Sequence, residues 1–111
     1  MRFLEVETDT GPFLINPVEI RSVLSDEPPT RTIMFGLRMV RASNLLDDLE
    51  DKLRGFIRLH KAHGGSAMLV NPSKITHIHR DGSADGTSIH TDGGAYYFVK
   101  ETPDEILKQT W

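Results

Sequence analysis

Three histidines stand at spacings that could hold a metal ion. His77 and His79 lie two residues apart in Ile75-Thr76-His77-Ile78-His79-Arg80, so an extended chain puts both imidazoles on one face, and His90 falls in the next strand-like segment. Three neutral imidazoles converging on a sheet face form a ligand set for zinc. No carboxylate spacing reinforces that reading, and an open sheet face also tolerates histidine without any ligand. A second group is cationic: Arg58, His60, Lys61, Arg80 and Lys100, with Tyr96, Tyr97 and Phe98 nearby. On nucleic acid such residues would contact phosphates and stack on bases; the other reading, which the acidic balance of the domain favours, is an ordinary mixed-charge surface. Asp47, Asp48, Glu50 and Asp51 form a third group. Paired carboxylates do acid–base chemistry only in a cleft that shifts one pKa, and beside Leu45, Leu46, Leu49 and Leu53 they read as the solvated face of an amphipathic helix. No nucleophile, base and orienting group can be named together, so no enzyme and no cofactor are expected. Gly64-Gly65 and Gly93-Gly94 read as hairpin turns, since no helix follows either to receive a phosphate.

The chain that carries these groups has 111 residues, 13 Lys+Arg, 16 Asp+Glu and a formal net charge of −3 with His neutral. Divided after Gly55, the first part holds 7 Lys+Arg against 10 Asp+Glu and the second 6 against 6. All five histidines, His60, His63, His77, His79 and His90, belong to the second. Neither part has the basic excess of a domain that holds phosphates by charge alone, so a cationic surface must be local. With no cysteine, disulfides, thiolate nucleophiles and thiolate metal sites are excluded. Apolar runs such as Met68-Leu69-Val70 fall far short of a membrane span and the N-terminus lacks signal-peptide order, which points to a cytoplasmic protein.

The elements that must position these groups are written twice. Phe13-Leu14-Ile15-Asn16-Pro17-Val18-Glu19-Ile20 returns as Met68-Leu69-Val70-Asn71-Pro72-Ser73-Lys74-Ile75, and the flanks return in order: Phe3-Leu4-Glu5-Val6 as Phe56-Ile57-Arg58-Leu59, Thr30-Arg31-Thr32-Ile33 as Gly86-Thr87-Ser88-Ile89, Val40-Arg41-Ala42-Ser43 as Val99-Lys100-Glu101-Thr102. A unit of about 55 residues is too short to bury a generous core alone and needs its twin. The expectation is a single α+β domain over 1–111, made of two β-rich repeats, 1–55 and 56–111, with approximate two-fold symmetry and a shared core.

Within each repeat, alternation of Leu4 and Val6 with acids, and of Ile57 and Leu59 with Arg58 and His60, predicts strands that turn back at Asp9 to Pro12 and His63 to Gly65. Asn-Pro then closes a compact turn, with Ile20 and Ile75 tucked onto the core. Strands follow at 21–24, 31–35 and 37–40 in the first repeat and at 76–80, 87–91 and 96–99 in the second, with loops at Ser25 to Pro29 and Asp81 to Asp85. Each repeat thus has four or five antiparallel strands. Each ends in a helix: Ser43 is the expected cap of one running to about Arg54, and Thr102-Pro103-Asp104-Glu105 is a capping box. Leu4, Val6, Leu14, Val23, Ile33, Val40, Leu46, Leu49, Ile57, Leu59, Leu69, Ile75, Ile78, Ile89, Val99 and Ile106 should be buried.

Two families share these patterns. Val70-Asn71-Pro72, Ile75, Ile78, Thr87, Ile89, Asp92-Gly93 and Val99 to Ile106 resemble the small flagellar FlbD family, also called the SwrD swarming-motility family, whose members look like one copy of this unit. Leu46, Leu49, Leu53, Phe56, Arg58, His60, Lys61 and Val70-Asn71 resemble, over the whole chain, the LytTR DNA-binding domain, where a helix precedes Phe-x-Arg-x-His-Arg-Ser and then Val-Asn. That second resemblance implies that the segment after His60 enters the DNA groove, with Lys61 at the matching position and Ala62 where the family has Ser. The first reading is a non-catalytic protein-interaction or adaptor module, tied through the FlbD resemblance to motility regulation. It would bind a protein partner, or a second copy, through sheet edges. The alternative is a LytTR-like transcriptional regulator domain that binds duplex DNA.

Overall fold

Leu4 and Val6 are buried between exposed acids in β1 (Leu4–Thr8), which turns at Asp9-Thr10 into β2 (Gly11–Ile15) with Thr8 opposite Gly11. The computed structural model describes residues 3–25, 30–80 and 86–110. The first repeat continues as β3 (Ile20–Leu24), β4 (Arg31–Phe35), β5 (Arg38–Ala42) and α1 (Leu46–Lys52). The second runs β6 (Ile57–His60), β7 (Ala67–Val70), β8 (Ile75–Arg80), β9 (Thr87–Thr91), β10 (Tyr96–Val99) and α2 (Pro103–Thr110). Among the described residues the chain is therefore mostly β with two helices, an α+β arrangement with five strands and a helix in each repeat. Of the two expected loops, all but Ser25 lies outside the described residues. Among those residues no helix is long and apolar enough to cross a membrane.

Asn-Pro does the same work in both repeats. Asn16 Oδ1 accepts from the Val18 N–H and Asn71 Oδ1 from the Ser73 N–H, both at 3.1 Å, each opening one 3₁₀ turn. Asn71 has a further task. Buried at 8% exposure, its Nδ2 donates to the Ile20 carbonyl at 2.9 Å, its N–H reaches the Arg21 carbonyl at 3.0 Å, and Ser73 Oγ donates to Oδ1 at 2.8 Å. Removing that amide orphans the Ile20 carbonyl inside the protein. Asn71→Ala should therefore lower unfolding free energy by about 2–3 kcal/mol, against about 1 kcal/mol for Asn16→Ala, whose bond is only local. Urea denaturation of the two variants checks the order, and equal losses would contradict it.

The sheets are antiparallel throughout. Strands β5-β4-β3-β7-β6 form one sheet, β10-β9-β8 a second, and β1-β2 a hairpin of their own. Alternation along β3 and β7 places Val23 opposite Leu69 on one face and Ser22 opposite Val70 and Leu24 opposite Met68 on the other. The core follows this division. One cluster gathers Leu4, Val6, Ile15, Ile20, Val23, Ile33, Ala42, Leu46, Leu49, Leu53 and Leu69, and the other Ile57, Leu59, Met68, Val70, Ile89, Val99 and Ile106. The single core expected of fused repeats is thus two clusters, and the pairing of the repeats is unequal. The first repeat's strands β3 to β5 join the second repeat's hairpin in one sheet, while β1-β2 and β8 to β10 form sheets of their own.

Most of the expected core is buried, with Val40, Ile75 and Ile78 half-buried and one reversal. Leu14 is 59% exposed, because the hairpin register sets it opposite Glu5 on the outer face and gives Ile15 the inward position opposite Leu4. Helix α1 is shorter than expected. Leu53 leaves helical geometry and stays buried while Gly55, at φ 89°, redirects the chain into β6. Its N-cap is Leu45 with no side-chain cap, for Ser43 stands two residues earlier and its Oγ donates to the Glu7 carbonyl at 3.4 Å. The capping box of α2 is present: the Thr102 N–H donates to Glu105 Oε1 at 3.1 Å and the Glu105 N–H to Thr102 Oγ1 at 3.2 Å, which holds the Glu105 carboxyl below its ordinary pKa.

Candidate nucleic-acid interface

The end of β6 is where the two larger sheets meet. Lys61 bridges Val99, the Ala62 N–H donates to the Phe98 carbonyl at 3.0 Å, and the Lys100 N–H donates to the His60 carbonyl at 2.9 Å. Lys61 and Lys100 are thus backbone neighbours across this junction. Beyond it the chain turns through His63-Gly64-Gly65, both glycines having positive φ. Lys100 lies over that turn, for a Cβ built on Gly65 would stand 2.9 Å from its Nζ. Lys100 also shares a small open cleft with Arg80, Gly86, Thr87 and Thr102. Among the described residues no carboxylate pairs with Arg80 or Lys100. The His63 ring stands 6.0 Å from that of Phe98. Gly86 is required by packing, since a Cβ there would meet Phe98 Cζ at 2.7 Å and the Val99 carbonyl at 2.9 Å.

Of the five cationic residues singled out in the sequence, Arg80 and Lys100 share this cleft, Lys61 adjoins it through its backbone bridge to Val99, and Arg58 and His60 are engaged by carboxylates. Arg58 Nη1 contacts Asp47 Oδ1 at 2.7 Å and Glu50 Oε1 at 2.9 Å on α1, and the Asp47 bond above all raises its pKa further. The carboxylate run on α1 thus has a structural use for two of its four members. His60 Nδ1 lies 2.7 Å from Glu101 Oε2, while Glu101 Oε1 accepts the His60 N–H at 2.9 Å. Glu101 is the residue that sequence reasoning passed over. Its signal was the Lys100-Glu101 pair just before the Thr102 cap.

These bonds have counterparts in the first repeat. The Glu7 N–H donates to Asn44 Oδ1 at 2.8 Å and the Ser43 N–H to the Glu7 carbonyl at 2.9 Å. Asn44 therefore stands where Glu101 stands, Ser43 where Lys100 stands and Ala42 where Val99 stands, two residues from the register read in the sequence. Glu7 and Ser43 replace His60 and Lys100, so the cationic character of this junction belongs to the second repeat.

The histidines converge as their spacing implied. His77 pairs with His90 across β8 and β9, a register shift sets off Thr76 between Ile75 and His77, and the potential ligand atoms of His77, His79 and His90 all lie within 4.8 Å of one another. Partial desolvation, then the neighbouring His77 and His79, push the His90 imidazole below its ordinary pKa. This group occupies the outer face of the three-stranded sheet, opposite the face that carries Ile78, Ile89 and Tyr97 toward the core.

The edge of β6, one of those a protein partner would need, is covered: the Arg58 N–H donates to Gln109 Oε1 at 3.2 Å and the His60 N–H to Glu101.

No protein-family model matches the chain, and no curated protein matches it. The resemblance to the FlbD family accordingly finds no support. Among solved structures the chain is similar to the LytTR DNA-binding domain of a methyl-accepting/DNA response regulator from Bacillus cereus. The TM-score is 0.76 at 15% sequence identity, covering 98% of this chain and 96% of that one. Over essentially its whole length, then, this chain has the fold of a LytTR domain.

Proposed function

We propose that the protein is a non-catalytic DNA-binding domain of a regulator, and that Lys61, Lys100 and Arg80 contact the phosphates of duplex DNA. The observation that carries this reading is the whole-chain likeness to a LytTR DNA-binding domain, joined to the shared cleft of Arg80 and Lys100 and the backbone bridge that sets Lys61 beside it. It favours the DNA reading over the adaptor and motility reading, which is left without a relative and without the edge of β6. The net charge of −3 makes the attraction local: among the described residues no carboxylate pairs with Arg80 or Lys100, whereas Arg58 is engaged by Asp47 and Glu50 of α1. Phosphate contacts position a domain and base contacts specify its site, so sequence preference would come from neighbouring polar side chains such as Thr102 at the cleft.

Selection from a random-sequence duplex pool tests this. At about 50 mM salt, where counterion release favours binding, the protein should retain duplexes that converge on a recurring site. A pool that is never enriched would overturn the reading.

A further inference from the structure

We propose that His77, His79 and His90 form a binding site for one divalent transition-metal ion of the zinc class, separate from the DNA contacts and independent of them. Among the described residues these are the His, Cys, Asp or Glu side chains whose ligand atoms converge in a group of three. His79 Nε2 and His90 Nε2 are 3.3 Å apart. Two nitrogens bound to one tetrahedral ion at zinc–nitrogen distances stand about 3.4 Å apart, so this pair already has the spacing of two ligands. His77 stacks on His90 with centroids 4.3 Å apart, its ligand atom lies within 4.8 Å of the other two, and its side chain is exposed and free to turn toward them on binding.

Thr76 prepares His77 for that role. Thr76 Oγ1 lies 3.2 Å from the His90 carbonyl, which can only accept, and 3.0 Å from His77 Nδ1. With its one proton on the carbonyl, the hydroxyl accepts from the His77 Nδ1–H, and in that tautomer the Nε2 lone pair of His77 is left for a ligand. Fixing of a histidine tautomer by a hydrogen bond to its other nitrogen is the usual support of a metal-binding imidazole. Thr76 comes within reach of both groups through the register shift between Ile75 and His77. On the far side, the Tyr96 ring stacks against His90 with centroids 5.5 Å apart and limits its motion. Three nitrogen donors with no thiolate suit zinc, copper or nickel rather than calcium or magnesium, and three protein ligands leave a fourth position open.

The test uses the untagged full chain, stripped with chelator and titrated with Co(II), whose visible absorption reports nitrogen coordination, then displaced with Zn(II). One ion per chain is expected. His79→Gln with His90→Gln should weaken binding by more than about tenfold, since loss of even an outer hydrogen-bond partner costs that much. Thr76→Val, which removes only the positioning group, should weaken it about tenfold while leaving the Co(II) spectrum unchanged. His63→Gln, remote from the cluster, should bind as the wild type does. These residues lie on the outer sheet face, and an unchanged thermal transition in metal-free buffer establishes that the variants are folded. Wild-type protein that takes up no stoichiometric Co(II), or a folded double variant that binds as tightly as the wild type, would overturn the proposal.

Discussion

Replacing Leu59 by alanine is expected to remove about 3–4 kcal/mol of unfolding free energy. Leu59 has no solvent exposure and packs in the cluster formed by Ile57, Met68, Val70, Ile89, Val99 and Ile106, directly across from Met68. The cluster draws on β6, β7, β9, β10 and α2 at once, so the vacated volume cannot close by moving any one of them. A domain of this size holds some 5–15 kcal/mol in total, and at roughly 4 °C per kcal/mol the midpoint of thermal unfolding should fall by about 12–16 °C. The urea midpoint should fall with its slope unchanged, since the same surface is exposed on unfolding. Leu14→Ala, at a position 59% exposed, should stay within about 0.5 kcal/mol of the wild type. Because Leu59 precedes His60 and Lys61, loss of this side chain should also loosen the β6–β10 junction.

Removing the three proposed phosphate contacts, in Lys61→Ala with Arg80→Ala and Lys100→Ala, should lower affinity for duplex DNA about a hundredfold, at on the order of 1 kcal/mol for each charged phosphate contact. The loss should be nearly uniform over DNA sequences, because phosphate contacts carry no base information. Arg58→Ala is the informative contrast. Sequence spacing groups Arg58 with Lys61, yet its guanidinium is engaged by Asp47 and Glu50, so its removal should leave DNA affinity within a few-fold of the wild type. Equal losses in the two variants would show that the cationic junction is not the contact surface.

Much of this architecture was legible because it rests on local rules. The alternation around Leu4 and Val6, the Asn-Pro turns and the Thr102–Glu105 box each depend on residues within a few positions of one another, and each is present. What escaped depends on partners distant in sequence. That Arg58 is paired follows from where α1 packs, and that Leu14 faces outward follows from the register of a hairpin. The correspondence of Ala42 with Val99 was displaced by two residues in the sequence because Val40 and Val99 are both apolar. Only the bonds from Asn44 to Glu7 and from Glu101 to His60 reveal the register. The convergence of His77, His79 and His90 was legible from strand parity; Thr76 as their support was not, since it depends on a register shift. The order of the sheets, in which the first repeat's β3 pairs with the second repeat's β7, has no signature in either repeat alone.

The dependence of duplex affinity on salt tests the DNA-binding reading most directly. Fluorescence anisotropy of a labelled duplex, measured from about 50 to 200 mM salt, gives the slope of log K against log salt, which is about −0.9 for each phosphate neutralised. The wild type should bind with a slope of roughly −3 or steeper, and the Lys61, Arg80 and Lys100 triple variant should lose about 2 to 3 of it. No binding at the lowest salt, or the same slope in both proteins, would contradict the account.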